Sequence, residues 1–316
     1  MKQFAYVHSD SFAAASKALA GNGEAMAKGA GTDLLDLLKE RVLEPAEIVN
    51  LLRIRREEGK GELSALATLA EVAEDEWIKA EFPALHKAAG EAATPQIRNV
   101  GTVGGNLCQS TRCWFLRQKG FECFKLGAGN CAAMAEGAAN RHHAIFPHRR
   151  CACAHPSNLA PALIALKARL ACVHPDGDRV LDAELLYEAP KSGKIPDTVL
   201  RQGELIRAVL LEPSPLAKRS TYLEFRERLS FDFAVASVAV ALDMQGGTVK
   251  EARIVCGGVA PTPYRARKAE EALQGKQSAA AAAAAAVEGA EPLAQNKHKV
   301  VILKRLVERA IGELLS

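Results

Sequence analysis

"AKGAGTDLL" (Ala27–Leu35) has the form of a strand end, a glycine turn and a helix start. Gly29, Ala30 and Gly31 are small enough to admit a ligand to the main chain, and N–H groups of such a turn at a helix N-terminus form a ready anion site. Thr32 or Asp33 stands where it can cap a helix beginning near Leu34, with Leu34, Leu35, Leu38 and Val42 as its apolar face. The same pattern also suits a tight strand-to-helix turn that binds nothing. A second turn, "NVGTVGGNL" (Asn99–Leu107), repeats the arrangement and adds the polar side chains of Thr102 and Asn106. Two such turns in one chain strengthen the case for a phosphate-bearing ligand. A third run, "GAGNCA" (Gly127–Ala132), fits the dinucleotide pattern G-x-G-x-x-A. It has no Asp or Glu about twenty residues further on to hold a ribose, so the match is coincidental.

Outward from the first turn, Phe12 to Leu19 carries helical spacing that Gly21-Asn22-Gly23 stops, and Glu24 to Ala27 is a short strand. "EIVNLLRI" (Glu47–Ile54) is another strand. Residues 61–93 hold a small strand and then helices, ending before Thr94-Pro95. "SNLAPALIALKARLACVHPDG" (Ser157–Gly177) is a helix beginning after Pro156 and a strand that ends in a turn at Asp176-Gly177. Pro213-Ser214-Pro215 reads as a linker. Beyond it the chain reads strand ("STYLEFRERL"), helix ("FAVASVAVALDM"), strand ("TVKEARIVCGGVA"), then helices. The last of these include the alanine run Ala279 to Ala286 and an amphipathic C-terminal "KVVILKRLVERAIGELL".

The 316 residues are 48% hydrophobic and 25% charged, enough for two or three domains with real cores. The net charge of +4 is spread along the chain, which argues against a nucleic-acid partner. No apolar run approaches the roughly 20 residues of a membrane helix, so no membrane insertion is expected. The N-terminus is interrupted by His8, Ser9 and Asp10 and lacks the apolar core of a signal peptide. The expected location is cytoplasmic, or periplasmic if a partner subunit carries the export signal.

Six of the eight cysteines lie between Cys108 and Cys153. Without a signal peptide, metal binding or catalysis fits them better than a disulfide framework. Cys113, Cys123, Cys131 and Cys151 are separated by nine, seven and nineteen residues, whereas structural zinc sites use close pairs. Four spread thiolates suit a cubane iron–sulfur cluster, which needs one cysteine per iron. A mixed zinc site remains open, because "RHHAIFPHRR" (Arg141–Arg150) supplies His142, His143 and His148. So do buried inert thiols, the natural reading of Cys172 and Cys256 in their apolar surroundings.

"KGAGTDLLDLL", "PAEIVNLLRI", "TPQIRNVGTVGGNL", "HPSNLAPALIAL", "GELIRAVLL", "RERLSFDFAVASVAVAL" and "GGVAPTPYRA" stand in the order found in FAD-binding (medium) subunits of molybdenum hydroxylases. The chain resembles that family over essentially its whole length. Its cysteine segment ("TRCWF", "FECFK", "GNCAAM", "RRCACAHPSN") resembles the [4Fe-4S]-containing subset seen in periplasmic aldehyde oxidoreductase and 4-hydroxybenzoyl-CoA reductase.

The resemblance implies an α+β fold: a para-cresol methylhydroxylase-type FAD-binding domain over 1–214, in subdomains 1–55 and 56–214. An iron–sulfur loop would occupy about 108–153, and a smaller α+β C-terminal domain of the CO dehydrogenase flavoprotein type would occupy 215–316. It assigns the FAD pyrophosphate to Met26, Ala27, Lys28, Gly29, Ala30, Gly31, Thr32, Asp33 and Leu34. Thr102, Gly104, Gly105 and Asn106 would line a second side, with Ser157 and Asn158 near the ribityl or ring region and Ile206 near the flavin. It assigns the cluster to Cys113, Cys123, Cys131 and Cys151, with Cys108 and Cys153 as extra neighbours. Three positions depart from the family: Ala30 replaces a usual glycine, Asn158 a usual aspartate and Glu224 a common lysine.

The implied role is electron transfer by FAD and a [4Fe-4S] cluster within a heterotrimeric oxidoreductase. Its implied partners are a molybdenum-cofactor large subunit, a [2Fe-2S] small subunit and an external electron acceptor or donor. No catalytic residue for the organic substrate is expected in this chain. The rival readings are a reductase running electrons from ferredoxin toward molybdenum, a stand-alone FAD oxidase, and a zinc-stapled binding protein.

Overall fold

The structure is a computed structural model that describes every residue except Glu57, Glu58, Lys119, His148, Ser230, Lys276 and Gln277. The chain opens as β1 (Ala5–His8), α1 (Phe12–Gly21), β2 (Ala25–Lys28), α2 (Leu34–Lys39) and β3 (Glu47–Asn50). The three strands form a parallel sheet in the order β1–β3–β2, with Val7 and Ala27 both level with Val49. Ser11 caps α1 by accepting from Ala14 N–H. Ala15, Leu19, Ala25 and Val49 make the small core beneath.

Next come β4 (Glu62–Ser64), α3 (Leu69–Glu74), α4 (Glu76–Glu81), α5 (Pro83–Glu91), α6 (Pro95–Arg98) and α7 (Val103–Leu107). Thr68 and Glu71 close a capping box on α3, and the Arg56 guanidinium bound to Glu71 holds its carboxyl down at about 2. The cysteine segment follows, with α8 (Trp114–Arg117) and two short 3₁₀ turns. Then come the wholly buried α9 (Leu159–Ala165), β5 (Arg169–Val173), β6 (Arg179–Asp182) and β7 (Leu205–Leu210). These strands form an antiparallel sheet in the order β4–β7–β5–β6.

The remainder is α10 (Pro215–Lys218), β8 (Ser220–Phe225), β9 (Ala236–Gln245), β10 (Thr248–Gly257), β11 (Tyr264–Arg265), α11 (Arg267–Leu273), α12 (Ala279–Ala286) and α13 (His298–Leu315). The four strands pair antiparallel in the order β11–β10–β9–β8.

Several sequence expectations are corrected. "FAVASVAVALDM" is a strand, β9, and not a helix. Ala239 and Ala241 face the core around α9 and β5, while Val238, Val240 and Leu242 face the core under α11–α13. A strand buried on both faces loses its alternation, and an alanine-rich apolar run then reads as helix. The Pro213–Pro215 linker contains a capped helical turn, with Ser214 accepting from Ala217 N–H and Leu216 buried. The strand read over Glu47–Ile54 stops at Asn50, and the apolar face of α2 is Leu37 and Leu38 rather than Leu34, Leu35, Leu38 and Val42.

The cysteine segment is pinned by the far end of the chain. Lys299 is buried, and its Nζ donates to the carbonyls of His142 (3.2 Å), His143 (3.0 Å) and Gly258 (2.6 Å). Asn296 Nδ2 donates to the carbonyls of His143 and Ala144, both at 3.0 Å. Gln295 N–H donates to Asn140 Oδ1 at 3.0 Å. Among the described residues no helix is long and apolar enough to cross a membrane.

Candidate functional site

A cleft of roughly 1600 Å³ opens between the parallel sheet and the central unit. Of the predicted FAD residues, Met26, Ala27, Gly29, Ala30, Gly31, Thr32, Asp33, Leu34, Thr102, Gly104, Gly105, Asn106, Asn158 and Ile206 line it. Lys28 and Ser157 do not. Lys28 folds back, donating to Gly29 O at 3.0 Å and lying over the Tyr6 ring, and Ser157 is buried behind Asn106.

The first glycine turn leaves β2 and enters α2. Gly31 sits at φ +86°, where a side chain is strained. A Cβ on Gly29 would stand 2.9 Å from Thr102 Oγ1, so the two glycine turns touch there. Among the described residues, the N–H groups of Ala30, Gly31, Thr32 and Asp33 donate to no protein acceptor. Four consecutive unspent donors lining a cleft form a cradle for an anion. The glycine-sized space and these donors fit the pyrophosphate of a dinucleotide.

The second turn differs. Gly104 N–H donates to Ala65 O at 2.8 Å, Val103 N–H to Ala67 O at 2.9 Å, and Asn106 N–H to Thr102 O at 2.8 Å. Gly105 N–H donates to Thr102 Oγ1 at 3.1 Å. A Cβ on Gly104 would meet Ala65 O at 3.1 Å, so this glycine serves close packing of α7 against the Ala65 strand end. Asn106 Oδ1 accepts from Ser157 Oγ (2.6 Å) and Leu159 N–H (3.2 Å), joining the turn to the start of α9.

Beside them Asn158 Nδ2 donates to Glu224 Oε2 at 2.8 Å and reaches the Tyr222 hydroxyl at 3.4 Å. The Tyr222 hydroxyl donates to the same Glu224 oxygen at 2.7 Å. Burial raises the Glu224 carboxyl above the usual range, against the pull of Tyr222 and Arg226. Near Asn158 in the chain, buried His155 accepts from Ser157 N–H at Nδ1 and packs edge-on against the Tyr187 ring. Burial, reinforced by the Lys125 ammonium, holds its imidazole neutral down to about 3.

Asp33 does not cap α2 with its side chain. Its carboxylate reaches into the cysteine segment, accepting from Ser110 N–H at 2.7 Å and from Arg117 at 2.6 Å, with Arg112 at 3.2 Å. The first glycine turn and the cysteine segment are therefore tied directly. A second tie is the buried Lys125–Asp197 ion pair at 2.5 Å, with Gly193 N–H donating to Lys125 O. Asp197 belongs to the stretch from Glu188 to Glu204 that forms one wall of the cleft. Sequence reading missed this wall, which has no periodicity to mark it.

The four-thiol set expected at Cys113, Cys123, Cys131 and Cys151 is not gathered into a ligand cage. Among the described residues no three His, Cys, Asp or Glu side chains are arranged to hold a metal ion. Cys113 and Cys131 nonetheless pack on the cluster of Phe124, Cys151 and Cys153, of which Cys123 is not a member. A hydrogen bond to Cys151 and then burial raise Cys131. Cys131 holds Cys151 down, but Cys153 and burial outweigh it. Burial pushes Cys113 up to about 12, and its sulfur lies 3.2 Å from His143 Nε2. His148, also named for a mixed zinc site, lies outside the described residues. Cys108 lines the cleft, apart from the other five. The "GAGNCA" run enters a 3₁₀ turn inside this segment and follows no strand.

Residues 2–213 match the family model described as the FAD binding domain in molybdopterin dehydrogenase, and residues 220–300 match the CO dehydrogenase flavoprotein C-terminal domain. The chain is 32% identical over 292 residues to the aldehyde oxidoreductase FAD-binding subunit PaoB of Escherichia coli K12, covering 90% of this chain and 89% of that one. It is 28% identical to the carbon monoxide dehydrogenase medium chain of Afipia carboxidovorans, covering 89% and 86%. Its fold matches a carbon monoxide dehydrogenase structure from Hydrogenophaga pseudoflava at TM-score 0.75 and 24% identity, over 98% of this chain and 96% of that one. Quinoline 2-oxidoreductase from Pseudomonas putida 86 also gives TM-score 0.75, at 25% identity, over 100% and 98%. A cradle of free main-chain donors in a cleft of this fold, with both halves of the chain matched, has one reading: the chain belongs to the FAD-binding subunits of the molybdenum hydroxylase family of oxidoreductases.

Proposed function

We propose that this chain is the FAD and [4Fe-4S] electron-transfer subunit of a three-part molybdenum enzyme that oxidises an aldehyde or aromatic heterocycle. Substrate oxidation takes place at a molybdenum large subunit, electrons cross [2Fe-2S] centres of a small subunit, and this chain passes them to an external acceptor. Similarity to an aldehyde oxidoreductase subunit supports the aldehyde arm.

The observation that carries the reading is the run of unspent N–H donors from Ala30 to Asp33, tied through Asp33 to the cysteine segment. In this reading Gly29 to Leu34 hold the pyrophosphate, Thr102 buttresses the turn from behind Gly29, and Asn106, Asn158 and Ile206 line the remainder. The chemistry FAD supplies there is exchange between two-electron and one-electron transfer. Cys113, Cys123, Cys131 and Cys151 are the ligands proposed for the cluster. The packing of Cys113, Cys131 and Cys151 about Phe124, and the small residues between the four thiols, support that set. Asp33, Arg117 and the Lys125–Asp197 pair hold the two redox regions together, and no residue here acts as acid or base on the organic substrate.

The test is cofactor content of the purified full chain, resolved from any [2Fe-2S] partner. The expected result is about one FAD with four irons and four acid-labile sulfides, a reduced-cluster EPR signal, and loss of iron in Cys123→Ser. Asp33→Asn is expected to lower FAD and iron content together. FAD with zinc and no sulfide would make the segment a structural staple, for which the Cys113–His143 contact is the starting point.

A further inference from the structure

We infer that Glu224 is a positioning residue for the flavin site, acting through Asn158: it fixes the Asn158 amide so that the carbonyl oxygen, and not the NH₂, faces the cleft. The inference rests on the reading of the cleft as the FAD site and names what one of its walls presents.

Asn158 lines the cleft, whereas Glu224 and Tyr222 lie behind it. Its amide carries two donors and one acceptor, and a half-turn exchanges their places. Glu224 decides between them. Its side chain is 3% exposed, and one carboxylate oxygen takes both the Asn158 NH₂ (2.8 Å) and the Tyr222 hydroxyl (2.7 Å). Oε2 already accepts the Tyr222 hydroxyl and so presents lone pairs to Asn158, and the reversed amide would set oxygen against oxygen. The other carboxylate oxygen lies 3.0 Å from Arg226 Nε, but off the line of a hydrogen bond. Arg226 supplies charge and is itself held by Glu91 at 2.5 Å.

With its NH₂ committed, Asn158 has Oδ1 left over, and no protein donor among the described residues takes it. The wall therefore offers an acceptor to an N–H donor, the kind of group an isoalloxazine ring carries. Nothing in the Asn158 sequence position selects this orientation. The carboxylate behind it does.

The test reverses the selector. Glu224→Lys replaces an acceptor with a donor, which turns the Asn158 oxygen inward and the NH₂ toward the cleft. Asn158→Asp sets a second carboxylate against Glu224. With both changes the lysine holds one oxygen of the new carboxylate and the other faces the cleft again. FAD affinity of the full chain, from quenching of flavin fluorescence, is expected to weaken about tenfold or more in each single variant. It should return to within about threefold of wild type in the double variant. The bound flavin's visible spectrum is expected to shift in the singles and recover with the affinity. A double variant as weak as the two losses combined overturns the inference, because independent sites add.

Should the lysine variant fail to melt cooperatively, Glu224→Leu is compared in the wild-type and Asn158→Leu chains. A loss of FAD affinity only where Asn158 is present supports the inference, and an equal loss in both overturns it. A wild-type chain that takes up no FAD overturns the FAD-site reading together with this one. FAD binding without coupling between positions 158 and 224 overturns this one alone.

Discussion

The two glycine turns look interchangeable in the sequence and do opposite work. At the first, small residues leave main-chain donors free from Ala30 to Asp33. At the second, Val103, Gly104, Gly105 and Asn106 all donate within the protein. One turn is open to a ligand, whereas the other is closed on the scaffold that holds it. A glycine can serve a ligand's approach or a neighbour's approach, and only the destination of the N–H groups tells which.

The comparison breaks most sharply at Ala30, which is partly exposed on the open turn. Ala30→Asp places a carboxylate among the free donors. It is expected to weaken FAD binding about 100-fold by like-charge repulsion, with the thermal midpoint of the apo chain unchanged. A large fall in that midpoint would mean the open turn is structural after all. Gly104→Val is the converse. Its side chain meets Ala65 O and Cβ, and overpacking of that kind is expected to destabilise the chain by about 1–3 kcal/mol in urea melts. FAD affinity of the folded fraction should stay within about threefold.

A smaller effect sharpens the closed side, where His155 Nδ1 accepts from Ser157 N–H. Burial depresses this imidazole from 6.5 to about 3 in the folded chain. Between those values the unfolded chain takes up a proton that the folded chain refuses. Stability is therefore full above pH 6.5 and is lost as pH falls toward 3, by about 1 kcal/mol per pH unit. Thermal midpoints between pH 7 and pH 5.5 should show the decline, and His155→Phe should flatten that component.

What was legible in the sequence was local. The first turn, α1 and α9 follow from neighbours a few residues apart, and the structure starts each within a residue or two of the expected place. β5 stops at Val173, short of the Asp176 turn. What was not legible depends on partners far along the chain. The closed character of the second turn comes from Ala65 and Ala67, and Asp33 looks like a cap until Ser110 and Arg117 claim it. β9 reads as helix because two different cores cover its two faces. Asn158 and Glu224 are two separate departures from the family pattern in the sequence, and one hydrogen-bonded unit in space.

The clamp of Lys299 and Asn296 on the His142–Ala144 carbonyls also sets an order in time. Roughly 140 residues separate the last cysteine of the segment from Asn296. At ribosomal speeds of about 5–20 residues per second, the segment is made roughly 7–30 s before its latch exists. During that interval the His142–Ala144 carbonyls lack the donors that later hold them. The final conformation of the segment is therefore completed only after the last helix of the chain has been made.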